Sequence, residues 1–187
     1  ADSANIVKFD STFAISDTLQ LKNILASLQN DYAARPISKS TILDRFSYQR
    51  KEKVELIGKK KVPYGSNMLF PKGEVYLYEY EDSAQVMTSL YNWTDCFGTD
   101  CAALTLLKNV EHIKMPPAFV VVGNNKILWL RYPGEHEAND YGPVKEALVN
   151  AIPEEERYYQ IDVQKGGPLQ WKGFSEEADS LYNALNP

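Results

Sequence analysis

At 187 residues the chain is long enough for one domain with a true core, since a protein of this size buries roughly 70% of its unfolded surface. Its net charge of −5, with 44% hydrophobic and 24% charged residues, gives no general reason to bind nucleic acid or an anionic membrane. No apolar run approaches the roughly 20 residues that a transmembrane helix needs, so the chain is expected to be soluble.

The small, polar N-terminus, Ala1-Asp2-Ser3-Ala4, fits either a mature end left by signal peptidase or a trimmed chain. Residues Ile6 to Ile15 read as an extended entry segment. Ser16-Asp17-Thr18 then offers capping oxygens to a helix whose apolar stripe is Leu21, Ile24, Leu25, Leu28 and Tyr32, with Pro36 ending it. A shorter helix is expected over Ser40–Tyr48, carrying Ile42, Leu43 and Phe46 inward. From Arg45 to Lys61 the chain turns basic, which reads as a solvated face or as a holder of phosphate or an acidic partner. Inside that run Val54-Glu55-Leu56-Ile57 is a candidate strand ended by Gly58. Pro63, Gly65, Pro71 and Gly73 punctuate a loop in which Met68-Leu69-Phe70 is expected to tuck beneath as an apolar anchor.

Glu74–Glu81 alternates, with Val75, Leu77 and Glu79 on one side and Tyr76, Tyr78 and Tyr80 on the other. This predicts a strand whose tyrosine face is either half-buried under a helix or available to stack a ligand. Asp82-Ser83 caps a helix with Val86, Met87, Leu90 and Tyr91 inward; it runs into the sequon Asn92-Trp93-Thr94. Thr99-Asp100 opens a further helix over Cys101–Ile113, stopped by Met115-Pro116-Pro117. Phe119 to Val122 and Ile127 to Leu130 are apolar at consecutive positions around Gly123-Asn124-Asn125. That pattern predicts a tight hairpin at the centre of a sheet, covered on both faces. After an acidic loop, Gly142–Ile152 reads as a helix with Pro143 in its first turn. Tyr158–Val163 reads as an edge strand, Gly166-Gly167-Pro168 as a turn and Ser175–Leu185 as a closing helix.

The strand from Val75, the helix from Ser83, the Met-Pro-Pro stop, the hairpin and the helix after it together resemble the second half of the thioredoxin fold. The resemblance covers residues 74–152. It implies a cis proline before the hairpin, at Pro116 or Pro117, and a shortened thioredoxin-like core. The Cys-x-x-Cys that this family carries where strand meets helix is replaced here by Glu81-Asp82-Ser83-Ala84, so the resemblance implies a core without the redox site.

Three constellations carry possible chemistry. Cys96 and Cys101 flank a turn, Phe97-Gly98-Thr99-Asp100, and are expected to form a structural disulfide worth about 2 kcal/mol, which would place the protein in an oxidising compartment. Trp93 lies near this pair; Asp95 and Asp100 oppose a lowered thiol pKa. Glu135, His136, Glu137 and Asp140 hold enough oxygen and nitrogen for a cation but match no calcium-loop spacing, and an acidic surface loop is the expectation. Tyr76, Tyr78, Tyr80 and Trp93 are the candidate binding residues. No catalytic residue, metal or cofactor is assigned.

Together these readings predict an α/β single domain with a mixed central sheet of four to five strands covered by helices. A helical and basic extension (1–73) and a C-terminal extension (153–187) flank the α/β core (74–152). The expected function is a non-enzymatic, extracytoplasmic (periplasmic or secreted) binding or assembly module on a redox-inactive thioredoxin-like core, its partner another protein. The alternative is a thiol-disulfide oxidoreductase acting through Cys96 and Cys101.

Overall fold

The structure is a computed structural model that describes residues 20–94, 116–133, 141–166, 169–174, 176 and 180. Its elements are α1 (Gln20–Leu25), β1 (Tyr32–Pro36), β2 (Arg50–Gly58), β3 (Val62–Tyr64), β4 (Asn67–Leu69), β5 (Lys72–Glu79), α2 (Ser83–Thr94), β6 (Ala118–Gly123), β7 (Lys126–Arg131), α3 (Gly142–Asn150), β8 (Arg157–Val163) and β9 (Leu169–Gly173). Seven strands make one sheet in the order β1-β2-β5-β7-β6-β8-β9, while β3 and β4 form a separate two-stranded hairpin.

Two expectations about the sheet are corrected. It has seven strands rather than four or five, and every pairing in it is antiparallel rather than mixed. The additional strands come from both flanking segments, so all three parts into which the sequence divides contribute to one sheet. The Tyr158–Val163 segment is an interior strand, β8, because Leu169–Gly173 pairs along its outer side.

The hairpin β6–β7 sits at the centre, as its unbroken apolar runs require. Val122 lies opposite Ile127, and the residues Ala118–Val122 and Ile127–Leu130 are all buried. Alternation then divides the core into two layers. Phe119, Val121, Leu128 and Leu130 join Val75 and Leu77 in an aliphatic layer closed by α1 and α3. Val120, Val122, Ile127 and Trp129 join Tyr76, Tyr78 and Tyr80 in an aromatic layer closed by α2 and by a 3-10 turn, Ile42–Arg45. The Gly123 backbone has no positive φ; what glycine provides there is close approach, since a Cβ would lie 3.1 Å from Ile152 carbons and 3.3 Å from the Glu156 carbonyl.

The N-terminal third departs most from expectation. Its first helix stops at Leu25 and a 3-10 turn carries the chain to Leu28, so Tyr32 begins an edge strand instead of ending a helical stripe. The helix expected over Ser40–Tyr48 is only the turn Ile42–Arg45. Thr41 caps it, accepting from the Leu43 amide at 3.1 Å while Asp44 accepts from the Thr41 amide at 2.8 Å. β2 is nine residues long and carries Arg50, Lys51 and Lys53 of the basic run. Buried Glu52 on β2 accepts the amides of Gln20 at 3.1 Å and Leu21 at 2.8 Å, so it caps α1 from another element.

Candidate functional site: a charged cleft at the end of the sheet

The four aromatic residues proposed for binding do not form an open stacking surface. Tyr76, Tyr78, Tyr80 and Trp93 are 0–3% exposed and belong to the layer beneath α2, which corrects the ligand-stacking reading of the tyrosine face. Trp129 lies between Trp93 and Tyr76, with ring centroids 5.0 and 6.1 Å away. Burial pushes the Tyr80 hydroxyl up to about 12 and raises Tyr76, Tyr78 and Tyr132 further, so all four stay protonated at neutral pH.

The phenol groups instead tie this layer to charged groups at its margin. Tyr78 donates to Asp44 Oδ1 at 3.0 Å and lies 2.6 Å from the Thr41 hydroxyl, which completes the chain by donating to it. Lys51 pairs with the same Asp44 oxygen and sits 5.3 Å from the Tyr78 ring centroid. Burial alone would raise the Asp44 carboxyl, but the Lys51, Thr41 and Tyr78 hydrogen bonds outweigh it and hold it below its ordinary value.

One end of the same face carries a row of charges. The register places Arg35 opposite Glu55, Glu55 opposite Glu74, and Glu74 opposite Arg131, across four adjacent strands. Two carboxylates directly opposite each other repel. The flanking cations offset this: Arg35 pairs with Glu55, while Lys39 and Arg131 pair with Glu74. Arg131 Nε donates to Glu74 Oε2 at 2.8 Å, and Arg131 Nη2 reaches the Tyr76 hydroxyl at 3.0 Å. Tyr76 donates in turn to Glu74 Oε2 at 2.9 Å. Burial would raise the Glu74 carboxyl, but hydrogen bonds from Lys39, Arg131 and Tyr76 prevail and keep it ionised below the usual carboxylate range.

Glu55, Glu74 and Arg131 of this row line a cleft of about 480 Å³. Its walls include Lys39, Lys72, Gly73, Pro116, Tyr132 and Pro133. Gly73 lets β5 pack closely behind the cleft, because a Cβ there would lie 3.0 Å from Leu130 Cδ1 and 3.4 Å from the Tyr141 ring on the opposite layer. Tyr141, at the start of α3, braces the wall by donating to the Lys72 carbonyl at 2.7 Å and stacking on Tyr132 at 4.4 Å.

Of the residues marked in the sequence, the structure brings Pro116 to the cleft wall and buries Pro117 just before β6, where its carbonyl accepts from the Tyr132 amide at 3.2 Å. Cys96, Cys101, Glu135, His136, Glu137 and Asp140 lie outside the described residues. Among the described residues no group of three His, Cys, Asp or Glu side chains is placed to hold a metal. Sequence reasoning missed Lys39, Glu55, Lys72, Glu74 and Arg131 as a set. The local signal was a charged residue at the same end of each strand, and only the register shows that these ends align. Compared with protein-family models, with curated proteins and with solved structures, the chain matches none.

Proposed function

We propose that this chain is a non-enzymatic binding module that works outside the cytoplasm and seats an anionic group of a partner protein in the cleft above Glu74 and Arg131. The observation that carries this reading is the cleft itself. Its volume of about 480 Å³ lies within the range of sites that take a small ligand or a short side-chain group. Lys39, Lys72 and Arg131 line it against Glu55 and Glu74, and both carboxylates have cationic partners of their own. Lys39 remains 59% exposed while paired, so a carboxylate entering the cleft can share it without unfolding the floor.

Binding is favoured over proton-transfer catalysis because the site's titratable groups are moved away from neutrality. Glu74 is lowered and Tyr76 is raised, whereas a general acid or base works best with a pKa near the operating pH. The compartment rests on the expected Cys96–Cys101 disulfide. The thioredoxin-like core enters only as the segment 74–152. What supports that reading is only the order of a strand, a helix and a hairpin along the chain, β5, α2, β6 and β7.

Succinate, standing in for an acidic side chain or chain terminus, provides the test. Titration followed by heteronuclear NMR should move the amides of Gly73, Glu74 and Arg131 to saturation. Lys39→Glu and Lys72→Glu should each weaken that response. Shifts that survive both charge reversals, or an absence of shifts at these amides, would refute the reading.

A further inference from the structure

We propose that the β3–β4 hairpin docks this protein onto the headgroup layer of an anionic lipid bilayer. The inference stands apart from the cleft. Between Leu56 and Gly73 the chain carries Lys59, Lys60, Lys61 and Lys72 and no acidic residue, although the protein as a whole has a net charge of −5. Among the described residues, three of the four exposed large hydrophobic side chains lie on this same segment: Tyr64 at 41%, Met68 at 52% and Phe70 at 37%. The sequence places Met68-Leu69-Phe70 as a buried anchor. In the structure Met68 and Phe70 face solvent and Leu69 is half-buried.

The hairpin is held firmly at its base and projects from it. The Gly58 amide donates to the Pro71 carbonyl at 2.8 Å, and the Lys59 amide to the Asp31 carbonyl at 2.8 Å. A Cβ at Gly58 would overlap the Pro71 ring, so glycine is required where the two stems meet. Beyond that point β3 and β4 pair only with each other, and Gly65 turns the tip with φ 56°.

The register decides between a lipid surface and a folded partner. Residues directly opposite each other share a face of a hairpin. Val62 with Leu69, and Tyr64 with Asn67, therefore lie on one face, and Pro63 with Met68 on the other. Apolar groups thus stand on both faces, where a docked protein would cover one. A wedge pressed between lipid headgroups is covered on every side. Tyr, Phe and Met suit that depth, and lysines beside them reach outward to lipid phosphates along their aliphatic stems. Lys61 is already folded over the Phe70 ring, 5.4 Å from its centroid, which joins charge and apolar surface in one unit. The outer backbone groups of the two strands remain hydrated at headgroup level, so the hairpin rests at the interface and does not enter the hydrocarbon. Such docking would hold the cleft close to the membrane, because Lys72 follows the hairpin directly and also lines that cleft.

Co-sedimentation of the full chain with phosphatidylcholine vesicles, with and without phosphatidylserine, tests the proposal. Binding should appear only with phosphatidylserine and should fall as salt is raised. The variants Lys60→Glu/Lys61→Glu and Met68→Asp/Phe70→Asp should each weaken it by about tenfold or more, with unchanged far-UV circular dichroism. These positions are exposed, and the two variants alter charge and apolar surface separately. Binding to phosphatidylcholine alone, no binding to the anionic vesicles, or binding that survives both variants would overturn the proposal. So would binding to poly-glutamate as tight as to vesicles and indifferent to the Met68 and Phe70 changes, since that marks an acidic protein partner. None of these substitutions touches the cleft, so succinate binding can fail or hold regardless of this result.

Discussion

The two layers of the core use the same strands and solve different problems. The aliphatic layer, from Leu21 and Leu25 through Leu77 and Leu128 to Val144 and Leu148, is held mainly by buried area, with Tyr141 adding one bond at its margin. The aromatic layer has a polar handle on each tyrosine, and those of Tyr76 and Tyr78 reach charged groups on irregular chain, Lys39 and Asp44, through short bridges. Area can hold a regular helix against a sheet. An irregular segment such as 37–49 presents little continuous apolar surface, so directional bonds from phenols and carboxylates fix its path. The cleft lies where this second arrangement meets the sheet's end.

The largest expected effect sharpens the contrast in packing. Trp129→Ala should destabilise by about 3–5 kcal/mol and Leu128→Ala, its neighbour on the opposite layer, by about 2–5 kcal/mol, both read from denaturant unfolding. If Trp129→Ala costs less than about 1 kcal/mol, the aromatic layer is not a packed core.

Next comes the charge row. Glu74→Gln removes one acceptor charge facing Arg131 and Lys39 and should cost about 1–3 kcal/mol at neutral pH. Its pH dependence has a definite sign. Glu74 and Asp44 are lowered in the folded state, so the unfolded chain binds more protons in the acid range. Their contribution is therefore complete above the ordinary carboxylate values of 4.5 and 3.8 and is lost as pH falls through the lower folded values. Glu74→Gln should flatten the acid limb of the stability curve, whereas Leu128→Ala should shift that curve without changing its slope. Equal slopes in both variants would remove the distinction between the layers. The tyrosines act at the opposite limb. They are raised in the folded state, so their contribution is complete below the ordinary value near 10 and falls as the medium becomes more alkaline.

A smaller effect is expected at Tyr78→Phe, about 1 kcal/mol, because the phenol leaves while Asp44 keeps Lys51 and the Thr41 amide. Hydrogen exchange over residues 41–49 should rise in this variant and remain unchanged in α1. The smallest is Arg35→Ala. Its partner Glu55 is largely covered, but Arg35 itself is 61% exposed, so about 0.5 kcal/mol or less is expected in thermal unfolding.

Legibility in the sequence followed the reach of the interactions. The hairpin and the strand 74–79 could be read because alternation and a turn are local, and a strand buried on both faces is apolar throughout. β1 could not, and of β2 only the half at Val54–Ile57 could. Tyr32-Ala33-Ala34-Arg35-Pro36 has little strand character, and Arg50-Lys51-Glu52-Lys53 looks solvated until α1, Asp44 and Lys39 supply partners from elsewhere. The charge row depends on register across four strands, and no window of residues contains it. Met68 and Phe70 depart from expectation for another reason: apolar character predicts burial, yet both side chains are exposed.

The Glu52 cap has a consequence in time. α1 is six residues long, too short to persist alone, and the amides that would fray first are held by a carboxylate some thirty residues further along the chain. Those amides gain their acceptor only when β2 is in place, and β2 is in turn held by β5. The first of the described helices thus depends on the sheet for the acceptor at its N-terminus. Leu21 amide exchange should accordingly follow the opening of β2 rather than the unwinding of its own helix, making it a reporter of the sheet.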